Sequence, residues 1–511
     1  MIGLLFVLGL CPILWLIVAL TLLKWPTWKA ACGSMIVAFL LALFVWKLPV
    51  METSTAALEG FLMALWPIVV VIVAAVFTYN LTVRTGAMEL IKQMMTSVTS
   101  DKRLLVLLVA WCFGGFMEGM AGFGTAIAIP AGMLVGLGFP ALFSCLVCLI
   151  ANGVPTPFGS IGIPTVTLAN LVGLENTYLS FTETLQLAPF MILCPFLIVM
   201  VAGKGVKALK GIWPIVLMSG VAFVFPQIAI AYFVGAELAV VVGSVCSMAV
   251  TILMSLKKKP DPAYQMDIQK GAPLTLKKAL VAWSPFICIF ILLLSTSKLL
   301  PPVNSYLSQF ASNVIVYSGE NPNTLTFTWI NTAGVWIFLS AIIGGLIQKA
   351  SWNDFKTVFI ATLKQMTPTI LTMCFVLACA KIMAYSGMIS SISEFAILVT
   401  GTFYPFIAPW LGALGCFVTG SGTSSGVLFG AVQMNAAEAL HLNPYWIVAL
   451  NSLGVGAGKM LSPQSIAIAL SAVDGNGQDS KLLSMILPYG AAFLIIMSVL
   501  AYVGTLFFGH M

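Results

Sequence analysis

The chain repeats itself after about 300 residues, and the repeated positions carry residues that interrupt helices. The matching pairs are 301 residues apart, and 299 apart after a two-residue deletion: Pro67 and Pro368, Thr85-Gly86 and Ser386-Gly387, 115–119 and 416–420, Asn152 and Asn451, Gly159 and Gly458, and Pro164 and Pro463. Each pair lies inside an apolar stretch. Paired interruptions of this kind are typical of secondary transporters, in which broken helices meet at one site.

Composition predicts that the chain lies in a lipid bilayer. Hydrophobic residues make up 60% of the 511 residues and charged residues only 8%, which is typical of polytopic membrane proteins. The predicted spans are 2–23, 28–48, 58–81, 141–170, 183–203, 212–230, 235–256, 280–297, 330–347, 366–386, 444–472 and 482–507. We therefore expect an all-α polytopic membrane protein. Its first span should be retained, because Lys24 and Lys29 follow the apolar run instead of preceding it.

Two further apolar segments, 104–138 and 396–440, have glycine-rich polar centres and are predicted to be re-entrant hairpins. Lysine and arginine concentrate in alternate loops, which the positive-inside rule places in the cytoplasm. The predicted cytoplasmic loops are 24–29, 84–103, 204–211, 257–279 and 348–365. The opposite loops, 49–57, 171–182 and 298–329, hold or adjoin Glu52, Glu175, Glu183 and Glu320.

This orientation places both termini outside and predicts inverted halves, because the span with Pro67 then runs opposite to the span with Pro368. Three parts are expected: a first inverted repeat at 1–203, two linking spans with a basic cytoplasmic loop at 204–279, and a second inverted repeat at 280–511. The first hairpin should open to the cytoplasm and the second to the exterior. The net charge of +7 is explained by these loops, and nucleic acid is not an expected partner.

Four interrupted segments should converge near the midplane, because unpaired backbone groups are tolerated in hydrocarbon only inside protein or beside a cavity. Free helix ends there attract ions. The candidate substrate-binding residues at these breaks are Gly119, Gly122, Gly124, Asn152, Ser160, Thr419, Gly420, Ser421, Thr423, Ser424, Ser425, Asn451, Lys459, Ser462 and Gln464. The side chains of Asn152 and Asn451 are expected to fix the conformation of the two breaks. Close helix packing is the alternative for any single glycine.

Charges within the spans are few, which makes each one informative. Glu118 is a candidate proton carrier, or else one partner of a structural ion pair with Lys459. Lys459 is a candidate partner of the substrate carboxylate. Lys381 could bind substrate or pair with Glu118, whereas Arg84 could simply reach the cytoplasmic surface.

No cofactor or metal is expected. Cys145 and Cys148 have the spacing of a metal half-site, but they lie in an apolar segment without a second half and are better explained as packing residues. An intramembrane enzyme would need a catalytic dyad or metal ligands, and the chain has no clustered histidines or cysteines.

At its breaks the chain resembles the lactate permease family, and the likeness covers nearly the whole sequence. The strings that carry it are 116–124 (FMEGMAGFG), 159–164 (GSIGIP), 419–425 (TGSGTSS) and 458–469 (GKMLSPQSIAIA). Gly422 and Gly426 depart from the family pattern, in which Asp and Asn stand, and this leaves Glu118 as the only acid at the four breaks. The resemblance implies uptake of lactate, and often glycolate, with protons across the bacterial inner membrane. The related ion-transporter superfamily suggests a dimer, but no motif requires one, so a monomer and a homodimer both stay open.

The leading interpretation is a symporter of protons and 2-hydroxymonocarboxylates with alternating access. A sodium-coupled carrier of carboxylates or dicarboxylates is the first alternative, with carbonyl groups at 152–159 and 451–458 holding Na⁺. An anion channel is the second, although two hairpins that open to opposite faces argue against it.

Overall fold

A computed structural model describes residues 2–122, 124–256, 258, 261–266, 275–297, 299–320, 322, 324–473, 475 and 477–509. Much of the predicted cytoplasmic loop 257–279, with Lys257, Lys259 and Lys270, lies outside the described residues, as does the motif residue Phe123.

The first part of the chain folds into helices that are interrupted where glycine and proline predicted. They are α1 (Ile2–Thr21), α2 (Thr27–Phe44), α3 (Val50–Met63), α4 (Val70–Arg84), α5 (Ala87–Thr96), α6 (Lys102–Val106), α7 (Gly114–Met120), α8 (Thr125–Gly136), α9 (Ala141–Gly153), α10 (Gly159–Val172) and α11 (Asn176–Ala202). Wider π-helical turns, Ala64–Val69 and Leu107–Phe113, join α3 to α4 and α6 to α7. The turn between α3 and α4 contains Pro67, which follows a cis peptide bond.

Two linking helices, α12 (Trp213–Phe233) and α13 (Ala236–Leu256), precede the second half. That half contains α14 (Leu276–Thr296), α15 (Pro301–Ser308), β1 (Ala311–Ile315), β2 (Thr324–Thr328), α16 (Ala333–Ile347), α17 (Trp352–Ser386), α18 (Met388–Thr400), α19 (Tyr404–Thr419), α20 (Gly422–Ala439), α21 (Pro444–Leu461), α22 (Pro463–Ser471) and α23 (Asp479–Phe508). The antiparallel strands β1 and β2 pair Ala311 with Thr328 and Ile315 with Thr324, and this small hairpin was not predicted.

The helices confirm an all-α polytopic membrane protein. Among the described residues, eleven helices are long and apolar enough to cross a membrane, and the bent pair α9–α10 raises the number to twelve. Several predicted boundaries are wrong. The spans predicted to begin at 58 and 183 begin at Val50 and Asn176. The helix α17 begins at Trp352 and not at 366, because Ser351 and Asp354 form a capping box before the apolar run. The second hairpin begins at Tyr404 and not at 396, because Gly401 in a left-handed conformation ends α18.

The helices with Pro67 and Pro368, which the repeat relates, pack against each other along their length. The contacts that join them include Arg84 with Asp354, Asn80 with Thr362, Phe61 with Phe375, and Glu59 with Lys381. Residue numbers rise along one helix as they fall along the other, so the two helices run antiparallel. Inverted halves require this relation.

Contacts between the halves follow the same symmetry. The helix α1 packs on α18, and its counterpart α14 packs on α5. Likewise α2 packs on α17, and its counterpart α16 packs on α4. Each half therefore completes its bundle with helices of the other half, and the interrupted segments meet in the shared interior.

Candidate functional site

The interrupted segments enclose a cavity of about 410 Å³. Its walls come from the end of α7, the break after α9, the turn between α19 and α20, the region around α21–α22, the start of α2 and the middle of α17. The lining residues are Pro26, Thr27, Trp28, Glu118, Thr156, Gly159, Ser160, Pro164, Met366, Pro368, Thr369, Thr372, Met373, Thr419, Gly420, Ser421, Gly422, Thr423, Ser424, Lys459, Gln464 and Ile468. The predicted convergence of the four segments is therefore present.

Glu118 lies at the end of α7 and is only 3% exposed. Its Oε2 accepts a hydrogen bond of 2.7 Å from Nδ2 of Asn152. A side chain at Gly159 would collide with its Oε1. The carboxyl group is thus held from one side by an amide and approached from another by bare backbone, and the side chain also lines the cavity.

The first break bends the chain by 70° between α9 and α10. Ser160, Ile161 and Gly162 all adopt left-handed backbone conformations, with φ of 49°, 58° and 72°. Such conformations are unfavourable for serine and isoleucine, and they persist only where the surroundings impose them. The Ser160 hydroxyl donates to the carbonyl of Ala121 at 2.8 Å, which ties the break to the first hairpin.

The second hairpin turns at Gly420 and Ser421. Ser421 caps α20, because its hydroxyl accepts from the backbone N–H of Ser424. The first N–H groups of α20, at Gly422 and Thr423, have no acceptor within the helix and lie at the cavity wall. The hydroxyl of Ser424 is buried and has no hydrogen-bond partner among the residues that the structure describes. This turn therefore offers donors to an anionic ligand.

Lys459 reaches the same cavity from α21 and is 6% exposed. Its Nζ donates to the carbonyl of Gly420 at 2.8 Å. Glu118 and Lys459 thus share a cavity, but each is bound to a neutral group. The predicted structural ion pair between them is absent from this structure.

The second break lies near the end of the interrupted segment predicted at 451–465. The helix α21 is continuous to Leu461, and the chain turns at Ser462, whose backbone is extended. Gly454 and Gly458 lie inside α21, where they let it pack closely on the carbonyls of Pro409 and Ala413 in α19. The carbonyl groups at 451–458 therefore take part in helical hydrogen bonding, and the expected pair of equivalent breaks is not in register.

Several candidate residues lie outside the cavity wall. Gly119 packs on Val241, and Gly124 packs on Ile468. The Ser425 hydroxyl donates to the carbonyl of Gly412. The residues that support the site without lining it are Gly119, Gly122, Gly124, Asn152, Ser425, Asn451 and Ser462. Of these, Gly122 is close to the side chain of Ser160 and allows its approach.

Asn451 does not pin a break, because it lies within α21. Both polar atoms of its side chain are buried, and within the described ranges they have no hydrogen-bond partner; the same holds for the hydroxyl of Ser462. Lys381 is also placed differently from the prediction. Its ammonium group pairs with Glu59, 2.8 Å away, and not with Glu118, and it does not line the main cavity.

A second cavity, of about 570 Å³, lies beside the Glu59–Lys381 pair. Its lining is Glu59, Met63, Trp66, Pro67, Asn170, Leu171, Val172, Gly173, Thr324, Leu325, Thr326, Thr328 and Lys381. Pro67 here corresponds to Pro368 in the first cavity. The strand β2 covers this space, as the loop at Pro26–Trp28 borders the other. The two cavities are thus related by the repeat.

Sequence reasoning missed Glu59, Thr156 and the contribution of α17. Thr369 and Thr372 are one turn apart on α17 and line the cavity just after Pro368. Pro368, which the repeat pairs with Pro67, was the feature of the sequence from which this part of the cavity wall could have been predicted. Among the described residues, no cluster of three or more His, Cys, Asp or Glu side chains is placed to hold a metal ion.

A helical bundle with broken helices around a buried polar cavity defines the class, a polytopic membrane transport protein. The sequence model of the L-lactate permease family matches residues 5–508, and the chain belongs to that family. Its members are permeases and not enzymes.

Two relatives and one solved structure show the extent of the similarity. An L-lactate permease of Streptococcus iniae is 43% identical over 444 residues, which cover 87% of this chain and 93% of that protein. Glycolate permease GlcA of Escherichia coli K12 is 33% identical over 543 residues, covering 98% and 97%. The fold is similar to that of Neisseria gonorrhoeae MtrF, with a TM-score of 0.50, 13% identity, and coverage of 93% and 94%.

Proposed function

We propose that the protein imports lactate, or a related 2-hydroxymonocarboxylate such as glycolate, together with protons. The observation that supports this most is that Glu118 and Lys459 face one cavity without pairing with each other. The volume of about 410 Å³ suits a small ligand, because ligand sites span roughly 300–1,000 Å³. The names of the relatives, L-lactate permease and glycolate permease, support the substrate class.

Charge balance explains why proton and substrate should bind together. Without ligand, ionised Glu118 and Lys459 carry opposite charges in one buried space. A lactate anion adds one negative charge, and an uncompensated charge in a poorly solvated site is strongly unfavourable. Protonation of Glu118 restores neutrality, so the occupied site favours one proton with each monocarboxylate.

The carboxylate would lie between Lys459 and the start of α20. Lys459 supplies the cation, and the N–H groups of Gly422 and Thr423 add the positive end of a helix dipole. The free hydroxyl of Ser424 is available to the 2-hydroxyl or the carboxylate. A ligand without a carboxylate would leave these donors unpaired.

Alternating access is supported by the two cavities. One extends from Pro368 towards the loop at Pro26, and the other extends from Pro67 towards Glu59. The sequence assigns the loop at Pro26 to the cytoplasm and the loop that holds β2 to the exterior, so the two cavities would lie on opposite sides of the midplane. Rearrangement of the halves would widen one cavity as it narrows the other.

Uptake by reconstituted protein tests the proposal. Labelled L-lactate should accumulate in proteoliposomes when a pH gradient is imposed without sodium, and a sodium gradient alone should have no effect. Liposomes without protein are the control. Uptake that needs sodium and ignores pH would establish the sodium-coupled alternative, and flux without accumulation would indicate a channel.

The proposed location is the bacterial inner membrane, with the basic loops in the cytoplasm. Cysteine labelling tests this orientation. Glu320→Cys should react with a membrane-impermeant thiol reagent in intact cells, and Lys356→Cys only after permeabilisation. The parent chain provides the background from native cysteines. The reverse pattern would contradict the assigned orientation.

A further inference from the structure

Another buried carboxyl group, that of Glu183, lies outside both cavities. Glu183 is the only charged residue of α11, is 1% exposed, and was predicted to adjoin an exterior loop. It lies instead between α10 and α21. Its Oε2 is 2.5 Å from the hydroxyl oxygen of Thr165, and its Oε1 is 2.5 Å from the hydroxyl oxygen of Ser452.

In the described part of the chain, no cation is paired with this carboxyl group. The neighbouring helices α9, α10 and α12 contain no Asp, Glu, Lys, Arg or His. On α21 the only charged side chain is Lys459, which is bound to Gly420, and on α13 it is Glu237, which binds Asn176. The helix α11 also packs on α6 and on the turn Val206–Leu209. There Arg103 binds Asp101 and the carbonyl of Ala208, and Lys207 is exposed. Among the described residues, the groups in hydrogen-bond contact with Glu183 are the hydroxyls of Thr165 and Ser452. An ionised carboxylate in such surroundings is strongly unfavourable.

The hydrogen bonds point to the same conclusion. The hydroxyl of Thr165 is also 2.9 Å from the carbonyl oxygen of Pro157, across the first break. A hydroxyl has one hydrogen, and a carbonyl oxygen can only accept. If Thr165 donates to Pro157, the short contact with Glu183 needs a hydrogen on the carboxyl group. A protonated Glu183 that donates to Thr165 and accepts from Ser452 satisfies all three contacts.

We propose that Glu183 is a second proton-binding residue, protonated in this conformation, and that its proton controls the shape of the first break. With the proton present, the hydroxyl of Thr165 is free to donate to the carbonyl of Pro157. This hydrogen bond ties the two sides of the break together. When the proton leaves to water, the carboxylate needs the Thr165 hydrogen for itself. The carbonyl of Pro157 then loses its hydrogen-bond donor. The neighbouring residues Thr156 and Gly159, which line the cavity, are then no longer held in place by this bond.

The protonation can be tested by infrared difference spectroscopy of the full-length protein in lipid. The wild type should show the carbonyl band of a protonated carboxyl group that is absent from the Glu183→Gln variant. Thr165→Val should shift the band to higher frequency, because it removes the acceptor of the carboxyl hydrogen, whereas Thr165→Ser should leave it in place. The proposal would be overturned if the carbonyl band were the same in the wild type and in all of these variants. The Thr165 variants provide this test even if Glu183→Gln fails to fold.

The role in transport rests on the proposed function and has its own readout. Exchange of labelled for unlabelled L-lactate is measured across a range of pH, with equal pH on both sides. Beyond the point of ionisation the protonated fraction falls about tenfold per pH unit, so Glu183→Gln should retain more of its exchange than the wild type at alkaline pH. Superimposable profiles would overturn the role. If lactate moved without protons, the proposed coupling would fail, yet the infrared band would still report the proton.

Discussion

Lys381 on α17 holds its ammonium group 2.8 Å from the carboxylate of Glu59 on α3, so an ion pair joins the two helices that the repeat relates. Both side chains are buried, with 8% and 2% of their surface exposed. The hydroxyl of Tyr385 also donates to Glu59. On the proposed orientation, this cluster closes the exterior end of the pathway.

Removal of one member of this pair should destabilise the protein strongly. Glu59→Gln alone leaves a buried cation, which costs about 3–5 kcal/mol, and the double variant with Lys381→Met should recover much of the loss. Thermal unfolding in detergent measures both. The matched control is Arg84→Gln, which breaks an exposed pair with Asp354 and should cost less than about 1 kcal/mol. Equal losses of unfolding free energy in Glu59→Gln and Arg84→Gln would contradict a stabilising role for the buried ion pair.

Glu118→Gln should abolish accumulation driven by a pH gradient, because the amide cannot take up a proton. Exchange of lactate should survive, since exchange needs no net proton movement. Glu89→Gln, at an exposed carboxyl beside Lys92, is the control and should transport normally. Intact accumulation in Glu118→Gln would show that the carboxyl group is structural.

Lys459→Ala should weaken lactate binding about ten- to a hundredfold, because a hydrogen bond to a charged group contributes roughly 1.5–3 kcal/mol. The Kd is measured by calorimetry on purified protein. Lys356→Ala, at an exposed lysine of α17, should bind as the wild type does. An unchanged Kd in folded Lys459→Ala would remove this ammonium group from the site.

Gly159→Ala should reduce uptake severely through a single added methyl group. The backbone there has φ of −62° and ψ of 154°, which alanine adopts easily, so strain is not the cause. The methyl group would instead collide with Oε1 of Glu118. Gly136→Ala is the control, because open space surrounds that position. Normal uptake by Gly159→Ala would mean that the carboxyl group can move aside.

Much of the fold and site could be predicted because glycine, proline and charge are visible in the sequence. The repeat identified the interrupted segments, and Glu118, Lys459 and the hydroxyls of 419–424 line one cavity. The partner of Lys381 could not be predicted, since the register between antiparallel helices depends on packing. Gly454 and Gly458 belong to the predicted interrupted segment but lie in continuous helix, because glycine serves close packing as readily as interruption.

Glu183 was misplaced for a related reason. It stands at the edge of an apolar run, where a charge usually marks a loop. Only the folded bundle shows that α11 begins at Asn176 and carries this residue inwards to Thr165 and Ser452.

The close contact of α19 with α21 determines which parts can move. At Gly454 and Gly458 the two backbones touch, so neither helix can slide or tilt without the other. The hydroxyl-bearing turn at the end of α19 and the ammonium group of Lys459 therefore travel as one rigid body. On the proposed function, the spacing between the groups that hold the carboxylate should stay constant through the transport cycle, while only the barriers on either side of them change.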